Sequence, residues 1–106
     1  MEPINKEYTI STDRKLLDLH FIHDYLANVS EWSNRIPFER VKLSVDNSLN
    51  FGLYYQKKQI GYARIISDYS TIAYLGDVFI IKEYRGKGLS KWLMQEITDY
   101  PKLQGL

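Results

Sequence analysis

Cysteine is absent from this chain of 106 residues, and charge of one sign is scarce. Without cysteine, disulfide scaffolds, thiol catalysis and cysteine-ligated zinc sites are excluded. The 14 basic and 13 acidic residues leave a net charge of +1, and no block of like charge stands out. The composition therefore gives no support to a nucleic-acid or membrane-surface partner.

Long hydrophobic runs are missing as well. The apolar stretches fall far short of the roughly 20 residues that a membrane helix needs. The first residues, Met1, Glu2 and Pro3, do not begin a signal peptide, which would place a basic segment before an apolar one. We expect a cytoplasmic protein that binds neither membrane nor nucleic acid.

Aromatic residues, by contrast, are abundant. They make up 14% of the chain, with nine Tyr and two Trp, which argues against disorder. The hydrophobic share of 44% and the charged share of 25% are typical of globular proteins. Because the length suits one domain, we expect residues 1–106 to form a single domain.

The N-terminal half predicts a short strand followed by two helices. The strand covers residues 8–11, and Asp13 suits the cap of a helix whose end is marked by Asn28, Ser30 and Ser33. The apolar residues of this helix recur at spacings of three and four. They are Leu16, Leu19, Ile22, Leu26 and Val29. Pro37 suits the first position of a second, shorter helix over residues 38–45.

The C-terminal half predicts three strands and a helix. Residues 49–55 alternate in polarity, as in a half-buried strand, and a polar turn at 56–59 joins them to a strand at 60–67. Residues 72–81 are nearly all apolar, which is typical of a central strand buried on both faces, and Gly76 marks a bulge in it. The last helix, from Leu89 to Ile97, is stopped by Pro101. The sequence thus predicts an α/β (α+β) fold in the order β-α-α-β-β-β-α, with a mostly antiparallel sheet.

A glycine-rich turn between the third of these strands and the last helix is the most informative segment. The first amides of a helix have no internal partner and lie at the positive end of its dipole. Gly86 and Gly88 let a ligand approach the backbone, while Arg85, Lys87 and Lys91 add positive charge. The turn therefore predicts a phosphate or pyrophosphate site. Neither the Walker loop nor the dinucleotide fingerprint fits its spacing.

The segment Arg85-Gly86-Lys87-Gly88-Leu89-Ser90 resembles motif A of the GCN5-related N-acetyltransferases, the GNAT family, which reads Gln/Arg-x-x-Gly-x-Gly/Ala. Ser90 departs from the pattern, but Ser is small and its amide is still available. The element order over residues 8–100 is also similar to that of the family. The resemblance implies the GNAT fold and a reaction in which acetyl-CoA donates its acetyl group to a small-molecule or peptide amine. It implies no metal and no covalent intermediate.

The resemblance also implies which residues contact the cosubstrate. Residues 79–81 would pair with pantetheine, an amide near Val78 or Phe79 would bind the thioester oxygen, and residues 86–90 would hold pyrophosphate. The complete set is Val78, Phe79, Ile80, Ile81, Arg85, Gly86, Lys87, Gly88, Leu89 and Ser90. Asp77 is the candidate catalytic base, because it is the only carboxylate in an apolar strand and just precedes the expected thioester. The alternative is a hydrogen-bonded Asp with a structural role.

Other polar and aromatic residues give weaker signals. His20 and His23 have helical i, i+3 spacing, but two ligands do not make a metal site, so none is predicted. Trp32, Phe38 and Tyr54 could line an acceptor pocket or belong to the core. Arg64 could attract an anionic acceptor or pair with Asp68.

GNAT chains normally continue past the motif-A helix, whereas this sequence stops at Leu106. We therefore expect a chain that lacks the C-terminal strands and helix of the family fold, with weak or absent acetyl transfer. The fourth strand would have an uncovered edge, which invites a homo-oligomer through that edge. The alternative function is a non-catalytic acyl-CoA-binding or interaction module on the same fold.

Overall fold

The computed structural model describes residues 7–28 and 36–106, which form one antiparallel sheet and three α-helices. The strands are β1 (Tyr8–Ser11), β2 (Leu49–Tyr55), β3 (Lys58–Ser67) and β4 (Ala73–Ile80). The helices are α1 (Leu19–Asn28), α2 (Phe38–Asp46) and α3 (Leu89–Thr98). The strands lie in the order β1-β2-β3-β4, and each neighbouring pair is antiparallel. The predicted fold class and element order are confirmed.

Helices cover the sheet on both faces. Since successive residues of a strand point to opposite sides, Tyr62 and Ala63 of β3 belong to different apolar clusters. On one face α1 and α2 pack on Tyr62 and Phe79. On the other face α3 packs on residues of β2 and β3, among them Leu53, Phe51, Ile60 and Ile65. The prediction that β2 is half-buried is therefore wrong, because residues 50–54 are all buried. Asn50, whose polarity suggested an exposed face, donates to Val45 O of α2 at 2.9 Å.

Helix α1 begins later than the sequence predicted. The Asp13 carboxylate accepts a hydrogen bond from Lys15 N at 2.9 Å and caps a short 3₁₀ turn instead of a long helix. Asp18 then accepts from Phe21 N at 3.0 Å and caps α1 itself. Leu16, expected on the buried stripe, is 56% exposed. Val29, Ser30 and Ser33 lie outside the described residues.

The loops follow the sequence more closely. Pro37 occupies the cap position just before α2 instead of its first turn. Between β3 and β4, the Asp68 carboxylate accepts from the amides of Ser70 and Thr71 at 2.9 and 2.8 Å. It also accepts from the Thr71 hydroxyl, and these bonds hold the pKa of Asp68 well below its usual range. Asp68 is thus occupied within its own turn and makes no ion pair with Arg64.

Strand β4 differs most from expectation. Its backbone pairs with β3 alone among the described residues, so it is an edge strand and not a central one. Residues 73–76 are exposed, while Phe79 and Ile80 near its end are buried. The bulge at Gly76 is confirmed, because the register passes from Arg64↔Asp77 to Ile65↔Leu75 and skips that glycine. Helix packing therefore covers only the last two residues of β4, just before the glycine-rich segment.

Candidate functional site at the β4–α3 junction

The glycine-rich turn holds two residues in the left-handed region of backbone conformation. Gly86 has φ of 80° and Gly88 has φ of 81°, values that L side chains adopt only with strain. Gly88 is the N-cap of α3, and no side chain caps this end of the helix. The first turn of α3 contains no acidic residue. The amides of Leu89, Ser90 and Lys91 therefore lie in the first turn of α3 and have no acceptor within the helix, as an anion site requires.

A cavity of about 660 Å³ opens beside this turn and runs along the end of β4. Most of the predicted cofactor residues line it, although Leu89 is buried and offers only its backbone. Asp77, Ile81 and Lys87 do not line it. The lining consists of Tyr25, Val78, Phe79, Ile80, Tyr84, Arg85, Gly86, Gly88, Leu89, Ser90, Lys91 and Met94.

The backbone at the end of β4 has a definite free side. Ile81 N donates to Ile60 O at 2.9 Å, and Ile81 O accepts from Tyr84 N at 3.0 Å, so Ile81 has no free backbone group. Because hydrogen-bonding direction alternates along an antiparallel strand, the backbone groups of Val78 and Ile80 face the open edge. The free edge available to a ligand therefore covers residues 78–80, one residue earlier than the predicted 79–81.

Arg85 is held in place by two hydrogen bonds of its guanidinium group. Its Nε donates to Ile80 O at 2.7 Å, and its Nη2 donates to the Tyr25 hydroxyl at 3.0 Å. The Tyr25 ring in turn stacks on Phe79, with ring centroids 3.8 Å apart and an interplanar angle of 4°. We name this contact chain of Tyr25, Phe79 and Arg85 the α1 latch. It joins α1 to the end of β4. Among residues 7–28 and 36–106, Lys87 and Lys91 are the cations of the turn whose side chains have no hydrogen-bond or ion-pair partner.

Tyr25 is the main site residue that the sequence did not single out. It follows Ile22 by three residues, which places it beside the buried stripe of α1. That spacing shows that the ring is partly covered, but not which element covers it. No sequence pattern connects Tyr25 with Phe79, which lies beyond two intervening strands.

Asp77 forms an ion pair that the sequence assigned to a different residue. Arg64 Nε donates to Asp77 Oδ2 at 2.7 Å, and Arg64 Nη1 donates to Ser48 Oγ at 3.3 Å. The two charged side chains are 18% and 22% exposed, so the pair is largely covered but reaches solvent. Asp77 lies in β4 immediately before Val78, the first residue of this strand that lines the cavity.

The remaining polar and aromatic candidates in the described residues pack against other side chains of the fold. The rings of His20 and His23 both lie against Phe38, at centroid distances of 4.8 and 5.6 Å. Within residues 7–28 and 36–106, no three His, Asp or Glu side chains are grouped to hold a metal ion. Tyr54 is buried, and burial raises the pKa of its hydroxyl to about 12, which indicates a core residue. Trp32 lies outside the described residues.

No helix in the described part of the chain has the length and hydropathy that crossing a bilayer requires.

Comparison with known proteins identifies the family. The model of the acetyltransferase (GNAT) family matches residues 14–106. A crystal structure of a GNAT-family protein from Xanthomonas campestris pv. campestris superposes with a TM-score of 0.91 at 46% identity, covering 93% of this chain and 70% of that one. An uncharacterized N-acetyltransferase of Gracilaria tenuistipitata var. liui is 36% identical over 76% of this chain. A Gibberella zeae protein whose name proposes an acetyltransferase is 29% identical over 88% of it.

The chain spans 63% of the length of the Gibberella protein and 46% of that of the Gracilaria protein. The family model's match over residues 14–106 includes the glycine-rich turn, β4 and all three α-helices of the described residues. This chain belongs to the acetyltransferase (GNAT) family.

Proposed function

We propose that the chain binds acetyl-CoA at the β4–α3 junction and transfers its acetyl group to a primary amine by direct attack. The observation that carries the proposal is the uncapped N-terminus of α3 opening onto the same cavity as the free edge of β4. An anion site and a strand edge in one cavity match a ligand that joins a pyrophosphate to an amide-containing arm. The cytoplasmic location expected from the sequence stays a prediction.

The pyrophosphate is assigned to the amides of residues 88–91. Three of these amides have no internal acceptor, and a ligand phosphate would satisfy them at the positive end of the helix dipole. The exposed side chains of Lys87 and Lys91 supply two further charges. Arg85 contributes indirectly, because its guanidinium is held by Ile80 O and Tyr25.

The pantetheine arm is assigned to the backbone of Val78 and Ile80. Ile80 O already accepts from Arg85, so the groups left for the arm are Val78 N, Val78 O and Ile80 N. The amide of Val78 is then the donor that binds the thioester oxygen as it gains charge. Phe79, the other predicted donor, directs its backbone groups toward β3.

Asp77 is assigned as the base. One proton passes from the protonated amine to the Asp77 carboxylate, and the free amine attacks the thioester carbon. The new C–N bond forms as the C–S bond breaks, and the attached nitrogen loses its second proton to solvent as the amide forms. Asp77 returns its proton to solvent, and the departing thiolate takes up one proton from solvent. A net loss of one proton to the medium accompanies each transfer.

Two measurements test the proposal. Calorimetric titration with acetyl-CoA should give a single site, and release of free CoA in the presence of amines should follow at a low but measurable rate, since the sequence predicts weak transfer. Asp77→Asn should keep the affinity for acetyl-CoA and lose most of the turnover, whereas the matched variant Asp99→Asn, at the far end of α3, should keep both. Absence of acetyl-CoA binding would refute the proposal. Binding without transfer would instead indicate the non-catalytic acyl-CoA-binding module.

We also propose a homodimer through the first half of β4. Among the described residues this half pairs only with β3, and it exposes the side chains of Tyr74 and Leu75. The Gly76 bulge separates it from Val78 and Ile80, which the pantetheine arm would use. A second copy can therefore pair with residues 73–75 about a two-fold axis without occupying the cosubstrate site.

A further inference from the structure

The Arg64–Asp77 ion pair uses only part of the hydrogen-bonding capacity of its two side chains. Asp77 accepts through Oδ2, while Arg64 donates through Nε and Nη1. Among residues 7–28 and 36–106, neither Asp77 Oδ1 nor Arg64 Nη2 has a hydrogen-bond partner. Neither atom is among the buried polar atoms that lack a partner in this part of the chain. The pair thus has one open acceptor, on Asp77, and one open donor group, on Arg64, in side chains joined by a 2.7 Å contact.

Gly76 determines where the open donor lies. A Cβ added to Gly76 would stand 2.9 Å from Arg64 Nη2 and 3.1 Å from Arg64 Cζ, closer than side chains normally approach. The guanidinium therefore rests on the bulge itself, in space that only glycine leaves free. The φ of Gly76 is not in the left-handed region, so alanine fits the backbone there and would act by displacing the guanidinium.

The charge of the pair restricts which acceptors it suits. One cation and one anion, 2.7 Å apart, have no net charge, so the pair does not favour a ligand that is only cationic or only anionic. A ligand with an ammonium group beside a carboxylate offers the complementary arrangement. Guanidinium groups bind carboxylates strongly through charge-assisted hydrogen bonds, and the carboxylate of Asp77 does the same for an ammonium.

We propose that the Arg64–Asp77 pair selects an acceptor that carries a carboxylate next to its primary amine, as a free α-amino acid does. The ammonium donates to Asp77 Oδ1 and the carboxylate accepts from Arg64 Nη2. This inference rests on the proposed function, since Asp77 Oδ1 then receives the proton that the amine loses before it attacks the thioester. Arg64 is a specificity-determining residue in this arrangement, and Gly76 gives it the necessary space.

The test compares acceptors that differ only in the carboxylate. The 106-residue chain is given several α-amino acids, each beside its amide and its decarboxylated amine. Binding is measured by calorimetry with CoA saturating, and transfer by CoA release from acetyl-CoA. An acid should exceed its own amide by about tenfold or more in affinity and in kcat/KM, because the neutral amide oxygen accepts a weaker hydrogen bond from a guanidinium than a carboxylate does.

Three variants assign the preference to the pair. Arg64→Lys and Gly76→Ala should each reduce the preference for acid over amide to less than about threefold, while acetyl-CoA affinity stays at the parent value. Arg40→Lys, at an exposed arginine of α2, should keep the full preference. If Arg64→Lys does not fold, as judged by thermal unfolding, Gly76→Ala carries the test.

The outcomes separate the two proposals. Failure to bind acetyl-CoA refutes the proposed function. Binding of acetyl-CoA with equal use of acids and amides refutes the selection of a carboxylate. A preference for acids that survives in both Arg64→Lys and Gly76→Ala refutes the role of the ion pair.

Discussion

The α1 latch gives a contact whose free energy can be measured directly. Tyr25→Phe removes the hydroxyl that accepts from Arg85 and keeps the ring that stacks on Phe79. Arg85→Gln removes the cation and keeps one of the two residues that the family motif allows there. With the double variant, these substitutions form a cycle that isolates the Tyr25–Arg85 interaction from the other contacts of each side chain.

The structure sets the expected size. A hydrogen bond to a charged group contributes about 1.5–3 kcal/mol when it is protected from water. Arg85 is exposed, and solvent competes for its guanidinium, so we expect a coupling energy of about 1 kcal/mol. For a domain of this size, that corresponds to a fall in Tm of about 4–8 °C for Tyr25→Phe. Tyr25→Leu should cost more, because the stacked ring pair is lost as well.

Urea unfolding of the four proteins gives the coupling energy, and titration with acetyl-CoA gives its functional effect. If the latch orders the turn, Tyr25→Phe should weaken acetyl-CoA binding by about fivefold, the equivalent of about 1 kcal/mol. Tyr69→Phe removes a hydroxyl from an exposed turn residue and should change neither quantity. A coupling energy near zero, with unchanged acetyl-CoA affinity, would refute the reasoning.

Three further predictions follow from other parts of the molecule. Ser90→Glu places a negative charge at the start of α3 and should weaken acetyl-CoA binding by about tenfold without lowering Tm. The control Ser70→Glu, in the β3–β4 turn, should leave acetyl-CoA binding unchanged. Equal weakening by both variants would contradict the pyrophosphate assignment. Since the pKa of Asp68 is lowered on folding, its stabilisation is complete above the ordinary value of 3.8 and disappears as the pH falls through the lower native value. The difference in Tm between the parent and Asp68→Asn should therefore narrow as the pH falls below 3.8. A Tm difference that stays constant over this range would contradict the stabilising role of the Asp68 carboxylate. Light scattering should show a concentration-dependent dimer that Tyr74→Lys dissociates and acetyl-CoA leaves intact; a monomer at all concentrations would exclude it.

The junction of β4 and α3 could be predicted because its properties are local. Two positive-φ positions require glycine, the helix beginning at Leu89 shows its own periodicity, and free amides follow from any uncapped N-terminus. Ser90 departs from the family pattern, yet it lines the same cavity as its neighbours. For Gly88, the structure adds that a larger residue would strain the backbone, so Ser90 is the better position for a test.

Features that depend on distant parts of the chain could not be predicted. The apolar composition of β4 indicates burial, but burial depends on which elements cover the strand, and Tyr74 is 62% exposed. Tyr25 lies in α1, and its contact with Phe79 depends on how that helix crosses the sheet. Periodicity identifies the covered face of an element and carries no information about what covers it.

One residue of register decides the orientation of Asp77. If the pairing Ile65↔Leu75 continued without interruption, Arg64 would lie opposite Gly76, and Asp77 would point toward α3. The bulge inserts Gly76 and brings Asp77 opposite Arg64, on the face that carries α1 and α2. The same glycine leaves the space that the guanidinium occupies. Gly76 therefore sets both the partner of Asp77 and the side of the sheet that the Asp77 carboxylate faces.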